Sequence, residues 1–376
     1  ITGDGPVEIR DEASERIKRL RKKYHDDVPR LSIERARYYT EKWQETEGTG
    51  TPLPIRVAQA MKNVYENMTH YVDPDDRIAG YWTEYFLGMP IDIERGVFNL
   101  VLQAELDKSS IIYSRVRAFL KFLIYMIKKG TLLEFRRNIE LIRTSGPIPM
   151  NTSFETMPGR QINRYTIDPE DKKYLKKKLL PYWKGKTTVD FVQKEMERGR
   201  LFSTDMQDFV MAVPANTSRQ VILITTCANI SSYQGHVILD YEKVLDLGLL
   251  KMKKEVREKI AGNGNLNKEE LDFLESIEIA LEGVMTFARR LAEKVKEKMD
   301  AESDPGRKTV LEQMLKNCQR VPFYPAETFY EAVQSSWTVK TAVELAHPVN
   351  LHCFGRMDQI LYPYYKKDLE QGRITR

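Results

Sequence analysis

Cysteine and histidine, the side chains that most often hold metals and move protons, are scarce here: three and five among 376 residues. Cys227, Cys318 and Cys353 are odd in number and far apart, which excludes a disulfide framework or a paired-cysteine metal site as a reading of the pattern. No Walker loop, His-Glu-x-x-His pair or Gly-x-Ser-x-Gly elbow occurs, so the signatures of P-loop hydrolysis, zinc peptidases and α/β-hydrolases are all missing. Gly262-Asn263-Gly264 follows no strand pattern and reads as a loop, not a phosphate cradle. Long hydrophobic runs are lacking too. Phe119 to Ile127 is interrupted by Lys121 and is far too short to span a bilayer, so it reads as a buried helix. No secretory signal precedes the first helix pattern, and the expectation is a cytoplasmic protein with no membrane partner. Internal repeats, low-complexity tracts and a clear interdomain linker do not appear.

An excess of one charge is also missing. Fifty-nine basic residues face 54 acidic ones, a net +5, and the two signs are interspersed. The densest basic run, Lys172 to Lys178, has no aromatic platform or nucleic-acid motif beside it. It reads as a solvated helix face, and no nucleic-acid partner is expected. With 41% apolar and 30% charged residues, the composition is that of a globular protein. Its length exceeds the usual domain, but large α/β enzymes reach it around one core.

What is present is mainly helical. Apolar spacing predicts helices over Val7–His25, Ser32–Glu45 and Pro54–Asn67, a helix capped by Asp92 and running to about Leu106, and one over Ile111–Lys129. Asp168-Pro169-Glu170-Asp171 is a strong helix start: a capping carboxylate, proline at the first position, and acids at the positive end of the dipole. Asn267 with Glu270 resembles a capping box and opens the clearest amphipathic helix, to Met299. Strand signals are thinner, at Gln220–Thr226 and Val349–Phe354. Long helices with scattered apolar strands indicate an α/β architecture.

Two stretches carry candidate chemistry. His236 follows Gly235 and precedes Asp240-Tyr241-Glu242, so an imidazole and two carboxylates lie close in sequence. If they converge they can bind a polar substrate or move a proton; the alternative is a loop histidine, with Asp240 capping the helix from Tyr241. His347 and His352 flank the second strand signal. In a regular strand Asn350, His352 and Phe354 share one face and Leu351, Cys353 and Gly355 the other, and pocket lining and simple packing are both open. Arg356 and Asp358 read as a structural ion pair, and Cys353 has no partner that would lower its pKa. His25 and His70 read as surface residues.

Several blocks together resemble the glycyl radical enzymes of the pyruvate formate-lyase-like superfamily. They are Glu34-Arg35-Ala36 with Tyr39-Thr40-Glu41, Pro54 to Ala58, Ile78-Ala79-Gly80, Pro181 to Thr187, Gly235-His236 with Asp240 to Leu245, Pro325 to Tyr330, and Gly355 to Leu369. They are collinear and cover most of the chain from about Ile33.

The resemblance implies a ten-stranded α/β barrel wrapped by helices, of which this chain is the helix-rich N-terminal part: a helical region over about 1–215 and first barrel elements over about 216–376. In the family a glycyl radical relays to a cysteine, whose thiyl radical opens the reaction on a small organic substrate. The glycyl radical is installed by an S-adenosylmethionine iron–sulfur activase. That activase is the implied protein partner, a homodimer is a further expectation, and no metal is expected in this chain. Neither the Gly-Cys-x-Glu loop nor the Arg-Val-x-Gly-Tyr segment occurs in this sequence. The catalytic cysteine and the radical glycine are therefore expected beyond Arg376, and no catalytic residue is assigned to the chain itself. It reads as part of a longer protein and is expected to be inactive alone. The implied substrate-binding residues are His236, Asn350 and His352. Diol dehydratases resemble one another in a Gly-His-Ser whose last two positions fall here on Asn350 and Leu351. Losing that hydroxyl argues for a weakly polar or aromatic substrate over a small diol. A non-catalytic helical scaffold is the competing reading.

Overall fold

The computed structural model describes residues 15–96, 165–188, 190, 191, 194, 238–262, 266–347 and 353–375. Helix α1 (Glu15–Asp26) leads into strand β1 (Arg30–Ser32), α2 (Glu34–Glu45) and α3 (Leu53–Asn67). Strands β2 (Gly88–Pro90) and β3 (Thr166–Ile167) follow, then α4 (Pro169–Tyr174), which passes through a π turn, Leu175–Leu179, into α5 (Leu180–Trp183). The later helices are α6 (Tyr241–Gly262), α7 (Lys268–Asp300), α8 (Pro305–Arg320), α9 (Phe329–Ala346), α10 (Met357–Ile360) and α11 (Tyr362–Glu370). The expected strand over Gln220–Thr226, the helix over Ile111–Lys129 and the division near residues 215 and 216 lie outside the described residues.

The described strands form one parallel sheet in the order β2-β1-β3, with Leu31 opposite both Met89 and Ile167. Ser32, expected to open a helix, instead closes β1, and α2 begins at Glu34. Pairing on both sides gives this backbone its partners: Arg30 N–H donates to the Leu87 carbonyl at 2.8 Å and Thr166 N–H to the Pro29 carbonyl at 2.9 Å. Those partners are distant in sequence, so a local apolar pattern does not reveal them.

Helix α7 is the spine. Its start is a capping box, with Asn267 Oδ1 accepting the Glu270 N–H at 3.0 Å and Glu270 Oε2 accepting the Asn267 N–H at 2.9 Å. Phe287, Leu291 and Val295 sink into a core shared with Ala60, Met61 and Val64 of α3 and Leu311 and Met314 of α8. Each such side chain contributes roughly 1.5–3 kcal/mol by leaving water. Cys318 belongs to this core, and burial pushes its thiol up to about 12. At α4, Asp168 Oδ1 accepts the Glu170 N–H at 2.9 Å, as its sequence predicts.

Two of the sequence blocks meet at Trp183. Its indole N–H donates to Thr40 Oγ1 at 2.8 Å, and Thr40 in turn donates to the Ala36 carbonyl at 2.6 Å. The ring lies 5.8 Å from Trp43, tilted by 36°. Helix α6 is broken at Gly248, whose φ of 69° is in the left-handed region. A Cβ there would lie 2.5 Å from the Phe323 carbonyl oxygen. The close approach lets Leu249 N–H donate to the Pro322 carbonyl at 2.8 Å and Leu250 N–H to the Phe323 carbonyl at 3.1 Å. The break thus exchanges helical bonds for tertiary ones.

Two expectations are corrected. His70 is a core residue, 5% exposed, with its ring 4.9 Å from that of Phe287; His25 is exposed as expected. Asp92 does not cap a helix: a turn over residues 93–95 follows it, and both its buried carboxylate oxygens lack a hydrogen-bond partner among the described residues.

Candidate functional site

Ile238 and Cys353 form a parallel bridge, which brings the two candidate stretches side by side. His236, Asn350, Leu351 and His352 themselves lie outside the described residues, as does Cys227, so the site is defined here by their described neighbours. Gly355 turns the chain away from the bridge at φ 69°, where a Cβ would lie 2.9 Å from Ile238 Cγ2. Beyond it Arg356 and Asp358 form the expected two-pronged pair at 2.9 and 2.6 Å, exposed and structural.

Asp240 serves as a cap: its Oδ1 accepts the Lys243 N–H at 3.1 Å at the start of α6. Glu242 is exposed, so neither carboxylate is buried beside the bridge. Tyr241, by contrast, is 1% exposed, and its hydroxyl has no hydrogen-bond partner among the described residues. Burial raises the phenol well above its ordinary value, with the charges of Glu344 and Cys353 adding to the effect.

The Phe354 ring sits between two others, 5.4 Å from Tyr241 and 6.2 Å from Trp337, nearly parallel to the latter at 20°. Lys340 Nζ lies 5.3 Å from the Phe354 centroid and pairs with the Glu344 carboxylate. Trp337 Nε1 donates to the Gly80 carbonyl at 2.8 Å, which fixes the indole and the loop together. Trp337, Lys340, Glu344 and His347 recur at three- and four-residue spacing and so line one stripe at the C-terminal half of α9. Among the described residues the candidate site is therefore an aromatic wall with one hydroxyl lacking a partner and one half-buried ion pair.

A second polar cluster anchors the end of that stripe. Arg35, 1% exposed at its side chain, donates Nε to the Leu345 carbonyl at 2.5 Å, Nη2 to the Ala346 carbonyl at 3.2 Å and Nη1 to the Ile91 carbonyl at 3.1 Å. It also grips Glu94 with both terminal nitrogens, at 3.0 and 2.6 Å. Burial opposes ionisation of Glu94, but the charge and hydrogen bonds of Arg35 hold its carboxyl below the usual range. Asp92 has no such grip: burial, then the Glu94 charge, push its carboxyl above the usual carboxylate range. Arg95 contacts His347 Nδ1 through Nη2, and its Nε lies 3.9 Å from Asp92.

Among the described residues no group of three or more His, Cys, Asp or Glu is placed to hold a metal ion, and no helix is long and apolar enough to cross a membrane. Cys353 is exposed at the bridge.

A family described as Pyruvate formate lyase-like matches residues 11–111 and 141–376. The chain belongs to this family. An isethionate sulfite-lyase of Nitratidesulfovibrio vulgaris is 31% identical over 99% of the chain and 38% of its own length. A glycyl radical enzyme of Archaeoglobus fulgidus shares the fold with a TM-score of 0.70 at 26% identity, over 96% of this chain and 38% of that one. So does a Roseburia inulinivorans structure described by its 1,2-propanediol dehydration, with a TM-score of 0.71 at 26% identity over 96% of this chain and 37% of the other. The helix-rich architecture with its small parallel sheet is thus a portion of the glycyl radical enzyme α/β fold, and the chain spans 38% or less of these family members.

Sequence reasoning singled out Phe354 and Tyr241 only as neighbours of histidines, and missed Trp337, Lys340 and Glu344. The signal was available in their spacing along a helix that is otherwise rich in Ala, Ser, Thr and Val. The Arg35–Glu94 pair left no such trace, because its members are distant in sequence.

Proposed function

We propose that this chain builds the first part of a glycyl radical lyase and supplies one wall of the chamber that holds its small organic substrate. The observation that carries this is the bridge between Ile238 and Cys353: it joins the two stretches on which the family resemblance puts substrate contacts, beside a wall of three aromatic rings. A radical intermediate needs such enclosure, because water and oxygen divert it.

This chain does not carry the radical itself. Neither radical-bearing motif is in the sequence, Cys318 is locked in the core as a thiol, and Cys353 lacks the Gly-Cys-x-Glu context. No radical step is assigned to its residues. The reading gives them four tasks: Phe354 and Trp337 exclude water, Tyr241 offers its hydroxyl, Lys340 and Glu344 supply a fixed dipole, and His236, Asn350 and His352 contact the substrate. The radical cysteine and glycine are supplied from outside these 376 residues, and a radical S-adenosylmethionine activase installs the radical.

Elimination of a leaving group from carbon is the reaction class we favour, since the relatives are named for sulfite and water elimination. Within it, the aromatic wall and Leu351 support a weakly polar substrate over a small diol. The full protein, reduced and treated anaerobically with its activase, is expected to show a glycyl radical doublet by electron paramagnetic resonance. It is then expected to turn over a weakly polar or aromatic substrate that carries a leaving group in preference to glycerol or propanediol. No radical under conditions that activate a control family member would leave the scaffold reading; glycerol or propanediol turnover at the rate of authentic dehydratases would overturn the substrate preference.

A further inference from the structure

Helix α1 is attached to the rest of the protein by charge. None of its residues is buried, and its apolar Ile17 and Leu20 are only half-buried. Arg16, Arg19 and Lys23 recur at three- and four-residue spacing, so they share one face of the helix, and all three reach the segment from Tyr71 to Asp76. Arg16 Nη1 donates to the Asp75 carbonyl at 2.8 Å, and Arg19 grips the Asp75 carboxylate through Nε at 2.9 Å and through Nη2. Lys23 Nζ donates to Tyr71 Oη at 2.7 Å and pairs with the buried Asp73 carboxylate. It also lies 4.5 Å from the centroid of the Phe86 ring and 5.3 Å from that of Tyr71. Two rings, a phenol oxygen and a carboxylate are the surroundings that suit a half-buried cation. We propose that Tyr71, Phe86 and Asp73 form an ammonium site that Lys23 fills from within the chain, and that α1 is a strap latched by it. Emptying the site or screening its charges undocks the helix as a unit, while the turn it docks on stays folded. The latch does not depend on the function proposed above.

The receptor is built without α1. Asp73 N–H donates to Asp76 Oδ2 at 2.7 Å, Asp75 N–H to Asp73 Oδ1 at 2.9 Å and Asp76 N–H to the Asp73 carbonyl at 3.1 Å, so the turn closes on itself. Tyr81 Oη donates to Asp76 Oδ1 and Tyr71 Oη to Asp73 Oδ2, each at 2.9 Å. From behind, Arg307 of α8 donates Nη2 to the Asp73 carbonyl at 2.9 Å and Nη1 to the Asp76 carbonyl. The rings of Tyr71 and Tyr81 meet edge to face at 5.0 Å, and Phe86 lies 5.9 Å from Tyr81. None of these contacts involves α1. The strap has no comparable support. A helix of 12 residues is marginal in water alone, and exposed ion pairs are weak one by one and weaken further in salt. Strand β1 is paired with both β2 and β3, so residues 27–29 can hinge while the sheet stays fixed.

The test is native-state hydrogen exchange of the full protein, read peptide by peptide. At low salt the α1 amides are expected to be protected, yet to open well before those of α7. Between ~0.05 and ~1 M sodium chloride the screening length falls from more than about 10 Å to about 3 Å; α1 should then exchange roughly tenfold faster, and α7 should change by less than about twofold. Lys23→Met keeps an unbranched apolar stem and removes the charge, and should speed α1 exchange roughly tenfold at low salt. Phe86→Leu should speed it roughly threefold. The double variant should loosen α1 no more than Lys23→Met alone, because both changes remove the same contact. An α1 that is unprotected at low salt, that opens only together with α7, or whose exchange ignores salt or Lys23→Met overturns the strap. Additive effects of Lys23→Met and Phe86→Leu overturn the ammonium site.

Discussion

Gln334 holds both polar groups of Ala79: its Oε1 accepts the Ala79 N–H at 2.9 Å and its Nε2 donates to the Ala79 carbonyl at 2.8 Å. The amide is wholly buried on α9, so it stands in for a strand partner to a loop that has none. Gln334→Leu leaves two backbone groups dry and unpaired, and is expected to cost roughly 2–4 kcal/mol in urea unfolding. A loss below about 0.5 kcal/mol would mean that water reaches the loop in their place.

The Arg35–Glu94 pair predicts a second asymmetry. Arg35→Ala strands a buried carboxylate and removes the partner of three carbonyls, and is expected to cost about 3–5 kcal/mol. The double change Arg35→Met with Glu94→Leu removes both charges, so it should recover a large part of that loss. Equal stability of the single and double variants would refute a paired-charge account.

His70 makes stability pH-dependent. Burial, helped by the charges of Arg290 and Lys294, lowers its imidazole to about 3 in the folded protein, against ~6.5 when unfolded. The unfolded state therefore binds the proton first as pH falls. The contribution is complete above pH ~6.5 and is lost progressively on acidification towards the folded value, amounting to about 2 kcal/mol by pH 5. His70→Met should flatten the acid side of the stability curve relative to the parent, and parallel curves from pH 7 to 5 would contradict this.

Gly248→Ala combines a left-handed backbone with backbone atoms at 2.5 and 2.7 Å from the new methyl group. Strain alone contributes roughly 1–3 kcal/mol, so a fall in Tm of several degrees is expected. An unchanged Tm would show that the break in α6 relaxes freely.

Tyr241→Phe separates stability from function. Removing a buried hydroxyl that has no partner among the described residues should leave stability unchanged or raise it by up to about 1 kcal/mol. On the proposed reading, in which the hydroxyl contacts the substrate, the same change in the active full protein should raise KM. Unaltered kinetics would assign Tyr241 to packing alone.

Much of the architecture was legible because its cues are local. Asp168 and Asn267 announce their helices by caps a few residues long, and α3 follows from apolar spacing. What stayed hidden depends on partners distant in sequence. Ser32 looks like a helix start until Met89 and Ile167 arrive on either side of Leu31. His70 looks like a surface histidine because its neighbours Thr69 and Tyr71 are polar, whereas its burial is imposed by Phe287 on α7. The candidate site was half visible: the family blocks marked the stretches that meet at the Ile238–Cys353 bridge, but the aromatic wall beside it draws on α9, whose Trp337, Lys340 and Glu344 carry no motif.

The bridge between Ile238 and Cys353 also has a kinetic meaning. One pair of residues closes a loop on the order of a hundred residues long, and the entropy lost in that closure opposes pairing before the single contact contributes anything. The helices between must already be docked for the two segments to meet, which makes the bridge a late event in folding and an early one in local opening. In native-state hydrogen exchange its amides should therefore open at lower free energy than those of α7, so that the bridge can loosen while the spine stays folded.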